Sequence, residues 1–389
     1  MKIRVLFFCI IVLATFLENN GICSQDYFIA SYYFPGWDAN GQNVKKYGYK
    51  WTGWEQLKSA KPRFMGHKQP KVPLWGYENE ADPIVMSKKI STAHEYGVDA
   101  FIFDWYFNDE GPYLNGALDN GFLNAPNNNL VKFAIMWTNH KVGGNPAEVT
   151  PDTFDKIIYN LTHKYFKHPS YWKIDGNPKF LIYDIDTFIN NFGGIEGANR
   201  TLNKLRTKTK EMGFKDLHLS VTEYGLRRMP PKNANQLLLQ LKINSIDSYA
   251  WVQRTKMPNF PTTNYELMLS LASKQWEYSA KTYQVPFNPN VMVGWDPSPR
   301  APTNTEWKEK EYPFTPVLTD NTPTAFRKAL VKAKEHVDST NNINKIITIN
   351  AWNEWAEGSY LEPDTIYKYA YLQSIKEVFG SNLVKKTPK

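Results

Sequence analysis

Ile346-Ile347-Thr348-Ile349-Asn350-Ala351-Trp352-Asn353-Glu354-Trp355-Ala356-Glu357-Gly358 is the stretch on which the reading of this chain turns. Its first part is a β-branched apolar run, the pattern of a strand buried on both faces. Its second part sets two glutamates three residues apart among tryptophans and asparagine. A buried strand thus delivers two carboxylates, walled by aromatic rings, to one point. One carboxyl that gives a proton beside one that takes it is the equipment for acid–base chemistry on a sugar. A solvated turn is the alternative, but such a turn would not normally carry rings as large as Trp352 and Trp355. Gly358-Ser359 also brings Glu362 close, and carboxylates this crowded are costly unless each has a role.

Upstream of that strand the chain repeats one unit, strand then helix. Strands are expected over Tyr27 to Phe34, Val98 to Phe103, Leu130 to Trp137 and Phe180 to Asp184, then Leu217 to Thr222, Ile246 to Trp251 and Val291 to Trp295, with Ile346 to Ala351 the eighth. Helices fall between them. Ala81 to Tyr96 has Asp82 as cap, Pro83 in its first turn and Met86, Ile90 and Ala93 on one face. Others are expected over Pro151 to Phe166, Gly197 to Met212, Asn235 to Ile243, Tyr265 to Tyr283, Pro323 to Val337 and Ile366 to Phe379. The helix after the second strand is indistinct, with Tyr113 to Phe122 the candidate. Eight strands alternating with helices predict an α/β fold, a single (β/α)8 TIM barrel with long βα loops. A doubly wound open sheet is the fallback, and no Gly-rich phosphate loop follows the first strand to support it.

In a barrel the chemistry gathers where the C-terminal strand ends converge. Those ends carry Tyr32, Tyr33 and Trp37; Asp104, Trp105 and Tyr106; Trp137, Asn139 and His140; and Asp184 and Asp186. They continue with Glu223 and Tyr224; Trp251 and Gln253; Trp295, Asp296 and Arg300; and Trp352, Asn353, Glu354, Trp355 and Glu357. Aromatic faces suit sugar C–H groups, while carboxylates, amides and guanidinium bind hydroxyls. Taken singly, Trp137 and Trp295 favour core packing and His140 is equally a structural imidazole. Their recurrence beside polar groups at strand after strand points to a carbohydrate cleft. Glu354 and Glu357 are the expected catalytic pair.

Composition narrows the partners. The formal charge is +8, with acidic and basic residues mixed along the chain and only a short basic tail at Lys385 to Lys389. Nucleic-acid binding calls for a clustered basic footprint, so it is not expected. The excess suits an anionic polymer, such as a uronate or sulfated glycan, or simply a solubilising surface. The seven histidines show no HxH or HExxH spacing, and no metal or cofactor is expected. No GxSxG elbow occurs.

Lys2, Arg4 and the apolar run Val5 to Leu17, followed by Ser24, have the form of a secretory signal over residues 1–24, leaving a catalytic domain over 25–389. The apolar run is too short to span a membrane, so an extracytoplasmic protein, secreted or periplasmic, is expected. Cys9 and Cys23 both fall in or beside that segment, which argues against a disulfide framework; lipidation of Cys23 is the competing reading. A monomer is expected.

At these residues the chain resembles the WbsX-like proteins, whose barrel is similar to that of glycoside hydrolase family 99, the endo-acting α-mannosidases and α-mannanases. The resemblance rests on Tyr32-Tyr33-Phe34-Pro35-Gly36-Trp37, on Gly66-His67-Lys68-Gln69-Pro70 and on Pro73-Leu74-Trp75-Gly76-Tyr77. It continues through Phe103-Asp104-Trp105-Tyr106, Trp172-Lys173-Ile174-Asp175-Gly176-Asn177-Pro178 and Gly294-Trp295-Asp296. It ends in Ala351 to Gly358 and Leu361-Glu362-Pro363, the most specific block being the glutamate pair. His67 joins the candidate substrate contacts by this route. The resemblance implies retention, with Glu354 taking a proton from the sugar 2-hydroxyl, which attacks the anomeric carbon to give a 1,2-anhydro intermediate. Glu357 would act as general acid and then general base. Ala356 stands where the mannosidases have histidine, although small residues there are usual in the WbsX-like group, and Trp137-Thr138-Asn139-His140 replaces the Trp-Ala-Asn-Glu of that group; both weaken any transfer of mannose specificity. Two other functions fit the same chain. A glycosyltransferase is one, although a secretory signal and the lack of a diphosphate loop oppose it, Asp184-Ile185-Asp186 spelling DxD outside a suitable context. A non-catalytic glycan-binding barrel is the other, and paired glutamates oppose that.

Overall fold

The computed structural model describes residues 27–39, 48, 51–140, 149–340 and 342–380. The expected secretory segment, with Cys9 and Cys23, and the basic tail lie outside the described residues. Among the described residues, no helix is long and apolar enough to cross a membrane.

Eight strand positions, all parallel, form a nearly closed barrel. They are Phe28–Tyr33, Ala100–Asn108, Lys132–Trp137, Asn177–Ile182, His218–Thr222, Ser245–Asp247, the split seventh position, and Ile346–Asn350. The seventh consists of Phe287–Asn288 and Asn290–Met292, broken at Pro289, which has no N–H to give a ladder. Phe287–Asn288 pairs with the sixth strand and Asn290–Met292 with the eighth, so the ring closes across the break. The eighth strand lies against the first, Phe28 opposite Ile346 and Ser31 opposite Ile349.

Period-two alternation divides each strand between two apolar layers. Ala30, Tyr32, Ala100, Ile102, Ala134, Met136 and Leu181 face the barrel axis. Ile29, Tyr33, Phe101, Phe103, Phe133, Ile135, Trp137 and Ile182 face the helices. Each large side chain fully buried this way contributes ~1.5–3 kcal/mol relative to exposure. The N-terminal end of the barrel is closed by Phe28 stacked on Trp172 at 4.4 Å, with the Lys179 ammonium 5.1 Å from that indole. Lys179 then bonds Asp247 and Ser220, both at 2.8 Å, a buried ion pair satisfied by neighbouring polar groups.

The helices follow the expected places with shifted ends. Pro83–Glu95 is capped by Asp82 as the sequence predicts, and Tyr265–Thr282 by Asn264. Ile366 to Tyr369 do not join the last helix, which runs Ala370–Phe379. The indistinct element after the second strand is a π-helical turn, Ala117–Phe122. The second strand is longer than expected because it continues into a hairpin with Gly111–Tyr113. The fourth starts earlier and stops at Ile182, since Asp184 turns away to cap the helix Ile185–Asn191. The sixth is shorter, and its expected end Trp251 opens a separate 3-10 turn, Trp251–Gln253.

Candidate active site

Beyond Asn350 the eighth strand does not turn directly into a helix. Asn353–Glu354 pairs antiparallel with Ser359–Tyr360, and the 3-10 turn Trp355–Glu357 joins them. Gly358 closes that turn at φ 65°, where an added Cβ would lie 2.7 Å from the Cβ of Asp296, so a side chain is excluded twice over. Asp296 fixes the same loop from outside, its N–H donating to the Glu357 carbonyl at 2.5 Å.

Both glutamates line a cavity of 670 Å³ at the C-terminal mouth of the barrel. Arg300 spans them: its Nη2 donates to Glu354 Oε1 at 2.8 Å and its Nε lies 3.4 Å from Glu357 Oε1. The Tyr312 hydroxyl donates to the same Glu357 oxygen at 2.8 Å. Glu354 is 3% exposed, and burial pushes its carboxyl well above the usual range; Arg300 opposes this, while Glu357 and Asp104 add to it. Asp104, inward-facing on the second strand, accepts from the Tyr249 hydroxyl at 3.1 Å, and its Oδ1 is buried without a partner. Burial raises its carboxyl as well, with Glu357 contributing. Burial thus favours the neutral form of both Glu354 and Asp104.

The loop that carries Arg300 is held by Arg63, whose guanidinium donates to the carbonyls of Ala301 at 2.7 Å and Ser298 at 3.2 Å. Behind the glutamate turn, Lys89 is buried between Glu80, at 2.9 Å, and Glu362. Asn353 donates to Glu80 at 2.9 Å and Trp355 Nε1 to Glu362 at 2.8 Å. Glu362 is therefore a strut of the loop and does not enter the cavity.

Of the residues expected at the site, Trp37, Asp104, His140, Trp295, Arg300, Glu354 and Glu357 line the cavity. The others are occupied elsewhere. Tyr33, Trp105 and Trp137 lie on the helix-facing side of their strands, one residue out of phase with the barrel interior. Tyr32 faces the axis but lies beneath Tyr249, its hydroxyl donating to the Ser248 carbonyl at 3.1 Å. Trp251 packs on Tyr265 and Trp276, and Trp352 on Phe101. Trp355 stacks on Tyr360 at 3.7 Å. Asn139 ties the third strand end to the Asp184 backbone through two 2.8 Å bonds, and Asn353 does the same for Phe34. Glu223 is buried against Ser279 at 2.5 Å and Arg254 at 3.7 Å.

His67 and Asp296 form a clamp beneath the cavity. His67 Nδ1 accepts from the Arg63 N–H at 3.0 Å, which leaves the proton on Nε2 to bond Asp296 at 2.8 Å. Gln69 donates to the same oxygen at 2.6 Å. Burial works against the Asp296 charge, but these bonds and that from Ser298 outweigh it and hold the carboxyl below its ordinary range.

In their place stand tyrosines. Tyr106, Tyr183 and Tyr249 line the cavity, joined by Tyr113, Tyr224 and Tyr312. Tyr106 and Tyr224 stand among the strand ends read from the sequence, and Tyr183 was findable because it shares the parity of Leu181, which faces the axis. Tyr312 was not, since its loop follows no strand pattern.

A parallel barrel whose mouth holds paired glutamates has a fold similar to that of glycoside hydrolases. The GH99 endo-alpha-mannosidase from Bacteroides thetaiotaomicron matches at a TM-score of 0.55, with 16% identity over 93% of this chain and 99% of that one. A protein described as "Glycoside hydrolase-like protein" matches at a TM-score of 0.62, with 15% identity over 91% and 94%. Residues 29–375 match the family model described as "Glycosyltransferase WbsX", and the chain belongs to that family. It is 24% identical over 363 residues to "Uncharacterized protein WxcX" of Xanthomonas campestris pv. campestris, in strain B100 and likewise in strain ATCC 33913. The match covers 90% of this chain but 49% of those proteins, so the chain spans about half the length of the curated relatives it matches.

Proposed function

We propose that this protein is a glycoside hydrolase that cleaves within a polysaccharide with retention of configuration, using Glu354 and Glu357, outside the cytoplasm. The observation that carries the proposal is the glutamate pair itself, bridged by one guanidinium at the inner end of a tyrosine-lined cavity. Glu354 is the more buried of the two, which strengthens it as a base, while Arg300 beside it favours the ionised form that can take a proton from a sugar hydroxyl. Glu357 stands nearer solvent beneath Tyr312, where a leaving group could be protonated and water could enter. Attack by the 2-hydroxyl on the anomeric carbon breaks the bond to the leaving oxygen, which takes its proton from Glu357. Water then opens the 1,2-anhydro sugar, giving its proton to Glu357 while Glu354 returns a proton to the 2-oxygen. Tyrosine rings supply flat apolar faces for the sugar and hydroxyls for its edges.

The test is cleavage of a polysaccharide panel by the full chain. Glu354→Gln and Glu357→Gln are each expected to lose most turnover while still binding the substrate. Near-native rates in both variants would remove the proposal. The family's description as a glycosyltransferase supports a second reading, transfer from a nucleotide sugar. Product formation that depends on an added nucleotide sugar would establish it instead.

A further inference from the structure

One part of the cavity wall is a pile of four flat groups. His140 lies 4.6 Å from Tyr183, Tyr183 stacks on Tyr224 at 5.0 Å, and the Arg227 guanidinium covers Tyr224 at 3.4 Å. All four line the cavity. The two cavity arginines differ in one respect. Arg300 is ion-paired with two carboxylates, though its Nε makes no hydrogen bond, whereas Arg227 Nη1 is buried with no hydrogen-bond partner among the described residues. His140 Nδ1 is buried without a partner too. A guanidinium nitrogen held over a ring, buried and lacking an acceptor, is costly unless something fills that place.

Tyr183 locates this end of the cavity relative to the glutamates. Its phenol lies within reach of the charges of Glu357, Asp104 and Arg227. The cation and the acids therefore line one cavity around a shared tyrosine ring. We infer that Arg227, backed by Tyr224 and with His140 alongside, binds an anionic substituent of the glycan, a carboxylate or a sulfate ester, in the same cavity as the reacting bond. Guanidinium suits both groups, because its paired N–H donors match two coplanar oxygens. The inference rests on the hydrolase reading for the position of the reacting bond, but not for the existence of the anion site.

The experiment is affinity electrophoresis of full-length Glu357→Gln, which should not consume its ligand, through gels holding polygalacturonate, alginate, chondroitin sulfate, dextran or mannan. Retardation is expected in a uronate or a sulfated gel, and which of them retards identifies the group. Adding Arg227→Met should weaken that binding about tenfold to a hundredfold, the worth of a charge-assisted hydrogen bond. Arg228→Met is the control: it removes the same charge from the next residue, a surface side chain 3.9 Å from Asp186, and should change binding by less than about twofold. Equal weakening by both substitutions, retardation only by dextran or mannan, or none in any gel would overturn the inference. Cleavage of a neutral glycan that is abolished in Glu354→Gln but unaffected in Arg227→Met would sink the anion site and leave the hydrolase intact. Near-native cleavage by the glutamate variants would do the reverse.

Discussion

Arg300 is the residue on which the site's electrostatics turn. It is the cation in contact with both glutamates, and it opposes the burial that drives Glu354 toward its neutral form. Removing it leaves that burial unopposed, so the Glu354 proton affinity rises further. If Glu354 works as the ionised base, the acid limb of kcat/KM marks its deprotonation. Arg300→Met should then shift that limb to higher pH and lower the plateau, measured with a defined oligosaccharide. A limb that stays put would mean that Glu354 is not the group titrating there.

The element that positions the pair is the short hairpin after the eighth strand, and its support comes from a helix far away in sequence. Lys89, on Pro83–Glu95, is about as buried as a lysine can be at 1% exposure. Its ammonium is held charged by Glu362 and Glu80 despite the desolvation that works against it. Through Asn353 and Trp355 those carboxylates grip the residues on either side of Glu354. Deleting one member of such a group strands the others, at a cost of about 3–5 kcal/mol. Lys89→Met should show that loss in urea unfolding, whereas a surface change such as Lys58→Met should move stability by less than ~1 kcal/mol. A Lys89→Met variant as stable as the parent would mean that the triad does not brace the hairpin.

At the scale of the whole molecule, burial of neutral histidines makes stability depend on acid. Burial depresses His140 to about 4, and burial with Lys179 nearby depresses His218 to about 3. An unfolded histidine titrates near 6.5, so between that value and the folded values the unfolded chain binds more protons. Stability is therefore complete above about pH 6.5 and falls as pH drops toward 4, by on the order of 2–3 kcal/mol per histidine. His218→Gln, which keeps a polar partner for Ser245, should flatten the slope of stability against pH in this window. An unchanged slope would assign the acid sensitivity to other groups.

The alternation of strands and helices, and the Asp82 and Pro83 start of one helix, were legible in the sequence because they depend on local periodicity and local backbone bonding. The same holds for the eighth strand and its glutamates: a β-branched run followed by large rings and acids has few soluble placements. What local pattern could not supply was the face to which each aromatic points. Trp105 and Asp104 are adjacent, yet one packs against helices and the other enters the cavity, because side chains alternate across the sheet. Tyr32 is in phase and is still covered by Tyr249, a residue more than two hundred positions away. The sequence by itself thus determined the strand–helix order and the chemical type of the reacting pair. Only the nearly closed ring of strands decided which rings line the cavity, that Arg300 bridges the two glutamates, and that Arg227 Nη1 is buried in the same lining with no hydrogen-bond partner among the described residues, since each depends on contacts between residues distant along the chain.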